Sequence, residues 1–203
     1  MADDIAQLDV RKRDRSGYLE KRFSVDEFFV LADKGLFDDA MHYELWDGQI
    51  VMTPPPGQRH GHSEARLAKR LILAIDAIDP ENRSYVAQPG PGLQVNNNTF
   101  VQPDFAVVTP VDPASVARLR PEHVLLCVEV SNSTLDQDIH RKSRTYATVE
   151  ISEYWIVDTV NGKLHIFRSP SRGEYSDVSS HGPGQIVSPL FEPRIEIAVD
   201  DLF

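Results

Sequence analysis

The spacing of apolar residues along the chain predicts two amphipathic helices, and a capping signal predicts a third, polar helix. They cover residues 24–35, 60–78 and 135–148. Ser24 and Glu27 have the spacing of a capping box, in which a hydroxyl and a carboxylate satisfy the free N–H groups of a first helical turn. Thr134 and Gln137 repeat that spacing ahead of the third helix. Both starts are therefore expected to be capped by side chains.

Short apolar runs between turn residues predict the strands. They lie at residues 43–46, 49–52, 84–88, 92–95, 102–108, 124–130, 153–158 and 163–167. Asp47-Gly48 and Asn161-Gly162 predict hairpins, because these residue types tolerate positive φ. Residues 169–184 are expected to be rich in turns, and the apolar positions of residues 185–203 to end on the core. The order of elements predicts an α+β (mixed α/β) fold with a central mixed sheet flanked by helices.

Length and composition limit the organisation of the chain. A length of 203 residues favours a single domain, expected over residues 23–203, and the polar residues 1–22 are expected to form a mobile arm. The longest apolar runs are too short to span a membrane, and the N-terminus lacks the pattern of a secretory signal. Cys127 has no second cysteine to pair with, which favours a reducing, cytoplasmic compartment.

The net charge of −10 bears on the class of partner. It argues against a general nucleic-acid binder, because such proteins gain most of their affinity from basic contacts with phosphate. A nuclease stays compatible with it, since a bound metal adds positive charge and basic residues such as Arg141, Lys142 and Arg144 can act locally.

Two carboxylates stand on neighbouring predicted strands. Glu129 interrupts an apolar strand near its end, where we expect it to be half-buried, and Asp104 opens the strand that begins at Phe105. The 25 residues between them (129 − 104 = 25) leave room for a strand, a loop and a return strand. Carboxylates supplemented by water and phosphate oxygens suit Mg²⁺. A turn at Asp104 and a structural ion pair at Glu129 are the alternatives.

The third predicted helix offers a cation near these acids. Asp138, Lys142 and Tyr146 are spaced i, i+4, i+8, so they share a face. Beside a metal, Lys142 could position or deprotonate the attacking water, or neutralise charge that develops on the phosphate. The alternative is an exposed ion pair between Asp138 and Lys142.

Two further residues could join the site. Glu44 lies on an early strand and could reach a metal, although an exposed strand residue is as common. His60 lies at the start of a helix after a proline-rich loop, where it could contact phosphate or cap the helix. A glycine-rich phosphate loop, zinc-ligand spacing and a nucleophilic-serine elbow are absent from the sequence.

These residues, taken in order, resemble a known family. The matching segments are Tyr43-Glu44-Leu45 with Asp47-Gly48, His60, Gln102-Pro103-Asp104, Val128-Glu129-Val130-Ser131, Lys142 with Tyr146-Ala147, and Glu153–Asp158. The set is similar to the PD-(D/E)XK nuclease superfamily and, within it, to the Uma-two family, described as restriction endonucleases. The resemblance covers about residues 23–203 and implies a restriction-endonuclease-like fold, with Asp104 and Glu129 as metal ligands and Glu44 as an auxiliary acid.

The lysine departs from the superfamily pattern. It usually lies two residues after the second carboxylate, where this chain has Ser131. In the narrower family it lies on the following helix, which matches Lys142. Two further departures, Glu150 and Ser152 where the family often has glycine and proline, concern the exit of that helix.

The sequence thus predicts a Mg²⁺-dependent endodeoxyribonuclease, with Mn²⁺ as a substitute ion and DNA as substrate. Asp104, Glu129, Lys142 and Glu44 form the predicted catalytic set, and His60, Ser131 and Tyr146 the predicted substrate contacts. A homodimer would fit this activity because two sites can cut two strands. The alternatives are a non-catalytic nuclease-like binding or assembly module, and hydrolysis of another phosphate ester.

Overall fold

The computed structural model describes residues 12–13, 19–38, 40–112, 114, 116 and 118–203. The chain divides into two compact units, one formed by Met1–Pro55 with Gln94–Val101 and the other by Pro56–Leu93 with Gln102–Phe203. The predicted arm over residues 1–22 falls mostly outside the described residues. The single domain over residues 23–203 stays a prediction.

The described residues form short strands and a few helices. The strands are β1 Lys12–Arg13, β2 Leu19–Glu20, β3 His42–Trp46, β4 Gln49–Thr53, β5 Val86–Pro89, β6 Leu93–Asn96, β7 Thr99–Val101, β8 Phe105–Val108, β9 Val124–Ser131, β10 Glu153–Asp158, β11 Lys163–Ser171, β12 Glu174–His181, β13 Ile186–Val187 and β14 Ile197–Ala198. The helices are α1 Val25–Asp33, α2 Gln58–Ile78, α3 Leu135–Gln137 and α4 Ser143–Thr148, with a π-helical turn at Asp138–Lys142 and 3-10 turns at Pro121–His123 and Val199–Leu202.

The first unit packs α1 on a small sheet ordered β4-β3-β7-β6. The predicted capping box is present, because Ser24 accepts from the Glu27 N–H while the Glu27 carboxylate accepts from the Ser24 N–H. Phe28 of α1 packs with Leu45 and Phe100 in a small core of its own. The predicted helix start and the Asp-Gly hairpin of this unit are confirmed.

Gly48 closes that hairpin with φ +75°, and a Cβ there would lie 2.8 Å from Arg22 Cβ and 3.0 Å from the Phe23 nitrogen. We expect Gly48→Ala to destabilise the first unit by about 3 kcal/mol, because positive φ costs about 1–3 kcal/mol and the overlap adds to it. Gly35→Ala is the matched control in the same unit, since its φ is +67° but a Cβ would meet nothing within 4 Å. Urea unfolding checks this prediction. Equal losses in the two variants would show that the overlap has no effect.

The second unit is built on a six-stranded sheet ordered β12-β11-β10-β9-β8-β5. Strands β9 and β10 run parallel and the other neighbours antiparallel, so the predicted mixed sheet is confirmed. Helix α2 covers one face with Leu67, Leu71 and Ile75, which pack against the fully buried Val128 and Trp155. The C-terminal tail closes the same core, as predicted.

The opposite face of this sheet carries the segment from α3 to α4. Tyr146 of α4 packs edge-on against Tyr154 of β10, with ring centroids 5.0 Å apart. Phe167 and Tyr175 extend the aromatic layer across β11 and β12. Helices therefore flank the sheet on both faces. No helix in the described part of the chain has both the length and the apolar character needed to cross a membrane.

Two local predictions are wrong. The segment expected to be turn-rich continues β11 to Ser171 and then forms β12, joined at Arg172 and Gly173, whose φ values are +54° and +79°. Thr134 does not cap α3. Its hydroxyl donates to the Asp138 carboxylate instead, at 2.8 Å. In both places hydrogen bonds to a neighbouring element override the local sequence signal.

Candidate active site

The pairing of β8 with β9 brings the two predicted carboxylates together. Phe105 lies opposite Val128, so the antiparallel register, continued by one residue, places Asp104 opposite Glu129. Phe105 and Val128 point into the core beneath α2, so the residues beside them point to the other face. The Val130 N–H donates to Asp104 Oδ2 at 2.6 Å, which fixes the Asp104 carboxylate at the strand end.

Glu129 is almost completely buried, with 2% exposure, so the expectation of half-burial is wrong. Its Oε1 accepts from the Tyr146 hydroxyl at 2.9 Å and its Oε2 lies 2.8 Å from Lys142 Nζ. Burial raises the pKa of Glu129 well above its usual value; Lys142 opposes this, and the nearby Asp104 and Asp138 charges raise it further. An additional positive charge near Glu129 would therefore stabilise the ionised form of its carboxylate.

A different buried carboxylate of the same sheet shows what a structural role looks like. Glu153 Oε1 accepts from the Trp155 indole at 2.9 Å and from Arg168 Nε at 2.7 Å, and its Oε2 accepts from the Leu190 N–H at 2.6 Å. These donors compensate both carboxylate oxygens of Glu153. Glu129 instead shares one lysine with neighbouring carboxylates, which argues against the structural ion pair as its whole explanation.

The helical segment over β9 supplies the cation through the π-helical turn. Lys142 Nζ also lies 3.8 Å from Asp138 Oδ1, and both side chains are largely buried, at 17% and 3% exposure. Burial raises the pKa of Asp138, which Lys142 and the Thr134 hydroxyl oppose. The shared face predicted for Asp138, Lys142 and Tyr146 is confirmed, and the alternative of an exposed ion pair is excluded. Lys142 is the last residue of the π-helical turn, and such turns are often found at functional sites.

His60 reaches the site from the first turn of α2. Its Nε2 lies 3.3 Å from Asp104 Oδ1 and 4.0 Å from Glu64 Oε2. The Asp104 carboxylate is the main cause of a raised pKa at His60, while partial burial lowers it. The contact has the distance of an ion pair, although its angles do not meet those of a hydrogen bond. His60 is thus placed to hold the outer oxygen of Asp104.

Two predicted substrate contacts are buried. Tyr146 and Ser131 have no exposed surface, and Tyr146 uses its hydroxyl to hold Glu129. The Ser131 carbonyl accepts from the backbone N–H and the hydroxyl of Thr159, both at 2.9 Å. Their burial argues against direct contact with a substrate and makes them positioning residues.

The other predicted residue, Glu44, belongs to the first unit. Its carboxylate accepts from the Trp46 indole N–H at 2.8 Å. Its part at the site stays a prediction.

Sequence reasoning missed two acids. The sequence places Asp138 on the helix face of Lys142 and Tyr146 without a role of its own at the site, yet it is buried beside Thr134 and Lys142. Glu64 follows His60 by one helical turn and was not singled out. The available signal was the spacing of each acid by four residues from a predicted site residue.

A divalent metal fits the donor types present. Asp104 and Glu129 offer hard carboxylate oxygens from opposite positions on adjacent strands, and their mutual repulsion would be relieved by a cation. Within the described ranges, no three His, Cys, Asp or Glu side chains group as metal ligands by themselves. Two protein carboxylates would then leave most of the coordination to water and phosphate oxygens, which is usual for Mg²⁺.

Tyr146→Phe should weaken the site without unfolding the protein. The change removes the donor at 2.9 Å from a Glu129 oxygen, and leaving a buried acceptor unpaired costs about 1–3 kcal/mol. We therefore expect a lower melting temperature and a rise in the apparent pKa of Glu129. Calorimetric melting across a pH series checks both. Tyr85→Phe is the control, because its hydroxyl makes no contact with Glu129 and donates instead to the Phe191 carbonyl at 3.3 Å and to Glu192 Oε2 at 3.5 Å. Identical behaviour of the two variants would contradict the positioning role.

Comparison with known proteins agrees with this picture. The family model "Uma2: Putative restriction endonuclease" matches residues 25–200. The crystal structure of a "putative nuclease belonging to DUF820" from Anabaena variabilis is similar to this chain, with a TM-score of 0.65 and 16% sequence identity, over 89% of this chain and 97% of that one. At such identity the likeness shows the fold. None of the curated proteins compared with the chain matches it. The resemblance and the restriction-endonuclease-like fold class are confirmed.

Proposed function

Because the chain belongs to the Uma2 family, we propose that it is a metal-dependent endonuclease that hydrolyses phosphodiester bonds of DNA. The observation that carries the proposal is the convergence of three side chains from separate elements. Lys142 Nζ lies 2.8 Å from Glu129, and Asp104 stands opposite Glu129 across two strands. Two acids and one ammonium at neighbouring strand ends are suited to metal-assisted hydrolysis of a phosphodiester.

In this proposal Asp104 and Glu129 hold Mg²⁺, for which Mn²⁺ can substitute. When bound, the ion lowers the pKa of a water and polarises the phosphoryl group. Glu44 is the auxiliary acid that the family resemblance implies.

The chain's own residues supply orientation and charge. Lys142, held by Glu129 and Asp138, orients the attacking water and neutralises charge on the phosphate. His60 holds the outer oxygen of Asp104 and can donate to a phosphate oxygen when protonated, a state that its raised pKa favours. Tyr146 keeps the Glu129 carboxylate directed at Lys142.

A second candidate is a non-catalytic nuclease-like module for binding or assembly. The net charge of −10 favours it, since long-range attraction to DNA is weak in such a chain. The proposed location of the enzyme is the cytoplasm, and a homodimer is the proposed assembly for cutting two strands.

The test is a cleavage assay on supercoiled plasmid, linear duplex, single-stranded DNA and RNA. Each substrate is incubated with the wild-type protein in Mg²⁺, in Mn²⁺ and in EDTA. The proposal expects DNA products in either metal and none in EDTA. An inert protein on all four substrates would favour the non-catalytic module, and cleavage of RNA alone would move the proposal to a ribonuclease.

A further inference from the structure

A cavity of about 500 Å³ lies in the second unit outside the group of acids. Its lining residues are Gln58, Arg59, His62, Ser63, Thr159 and Phe203. None of them was among the residues predicted from the sequence to form the site. They come from the start of α2, the end of β10 and the tail, three segments that are distant in sequence.

Two residues that line the cavity are connected to the candidate active site. Thr159 donates twice to the Ser131 carbonyl, at 2.9 Å each, and Ser131 follows Glu129 by two residues on β9. On the α2 side, Arg59 precedes His60, whose ring reaches Asp104 at 3.3 Å. The cavity lining is thus connected to the residues around Asp104 and Glu129 but includes neither carboxylate.

The polar lining is suited to an anion. Arg59 and His62 are exposed, and neither has an ion pair within the part of the chain that the structure describes. The first turn of α2 adds positive character, because its N-cap Gly57 provides no side-chain hydrogen bond and the turn contains no acid.

Ser63 gives independent support for a ligand. It is 3% exposed and lines the cavity, and no described residue gives its hydroxyl a hydrogen bond. The Ser63 hydroxyl oxygen is not among the fully buried described atoms that lack a partner, so it is accessible from the cavity, where a ligand could form a hydrogen bond with it. The ring of Phe203, partly buried against the core, provides an apolar wall.

We propose that this cavity binds one nucleotide of the substrate strand, next to the phosphodiester that is cut. Arg59 and His62 contact its phosphate, Ser63 hydrogen-bonds it, and Phe203 packs against its sugar or base. The proposal rests on the proposed function in taking a nucleic acid as the ligand, and it assigns Arg59 and His62 to substrate binding.

The test measures binding in EDTA, so that cleavage does not enter the readout. A short fluorescein-labelled single-stranded oligodeoxynucleotide is titrated with wild type, Arg59→Ala, His62→Ala and Ser63→Val, and its fluorescence anisotropy is followed. Lys69→Ala is the matched control, because it removes one exposed positive charge from the same helix outside the cavity. Melting temperatures confirm that each variant is folded.

The proposal expects Arg59→Ala to weaken binding about tenfold and Lys69→Ala less than about twofold, since phosphate contacts in a defined site exceed general charge attraction. Ser63→Val should weaken binding with no change in charge. Equal losses for Arg59→Ala and Lys69→Ala, unchanged binding in Ser63→Val, or no binding by the wild type would overturn it. If the wild type cuts DNA but the variants bind the oligonucleotide as tightly as the wild type does, the cavity is not a substrate site, and the proposed hydrolysis is unaffected. If the cavity variants weaken binding of the oligonucleotide but the wild type cuts no DNA, only the proposed hydrolysis is wrong.

Discussion

Asp104→Asn should lower the rate of DNA cleavage by at least about 100-fold while leaving the protein folded. The amide has the same shape and can still accept the Val130 N–H through its oxygen, so the strand end is preserved. It removes the negative charge that would bind a cation, and metal-assisted hydrolysis depends on that charge for several kcal/mol of transition-state stabilisation. Initial rates on supercoiled plasmid at saturating Mg²⁺ measure the effect.

Asp177→Asn is the matched control for this change. Asp177 lies on β12 of the same sheet and is exposed, and its side chain has no hydrogen bond or ion pair among the described residues. Its replacement should leave the rate within about twofold of wild type, as expected for a surface substitution. If the two variants cut DNA equally fast, Asp104 has no part in the chemistry.

Lys142→Met should strongly lower the free energy of unfolding. Methionine keeps most of the apolar stem but removes the ammonium 2.8 Å from Glu129 and 3.8 Å from Asp138. Removing one partner of a buried pair costs about 3–5 kcal/mol, because the other charge stays buried without compensation. We expect a loss of about 3 kcal/mol, at the lower end of that range, since Lys142 is 17% exposed and Glu129 can take up a proton. Urea unfolding near neutral pH measures it.

The matched control is two residues further along the same segment. Arg144 pairs with Glu174 at 3.4 Å, with both side chains about 70% exposed, so Arg144→Ala should cost less than about 1 kcal/mol. Adding Glu129→Gln to Lys142→Met should restore part of the lost stability, because the uncompensated charge is then gone. Similar losses in the Lys142 and Arg144 variants would mean that the buried pair is as well solvated as a surface one.

The sequence predicted the elements whose signal is local. The stripe from Leu67 to Ile78 has the helical period, and the apolar run of β9 has the length of a buried strand, so each element is specified by its own residues. The Asp47-Gly48 turn is specified in the same way, because few residue pairs tolerate two positive φ values.

Elements that depend on distant partners were harder to predict. Strand β12 has a polar sequence in which only Tyr175 is buried, and it is a strand because β11 offers an edge for pairing. The π-helical turn is invisible to a periodicity argument, since a spacing of four residues fits an α-helix equally well.

The sequence predicted which candidate residues lie close together better than it predicted their surroundings. The types and order of Asp104, Glu129 and Lys142 indicated a common centre, and their convergence agrees with that expectation. The burial of Glu129 and the contact between His60 and Asp104, which joins residues 44 positions apart in sequence (104 − 60 = 44), arise only from packing. The spacing of Tyr146 predicted which face of the helix it occupies, but it did not predict that the side chain is completely buried.

Binding of Mn²⁺ to the wild-type protein and to Glu129→Gln, followed by isothermal titration calorimetry, tests the central claim most directly. If Asp104 and Glu129 form a metal centre, the wild type should bind the ion and Glu129→Gln should bind it at least about tenfold more weakly, because one of two charged ligands is lost. Absence of binding at millimolar Mn²⁺, or equal binding by the two proteins, would contradict the account and favour a nuclease-like module without catalysis.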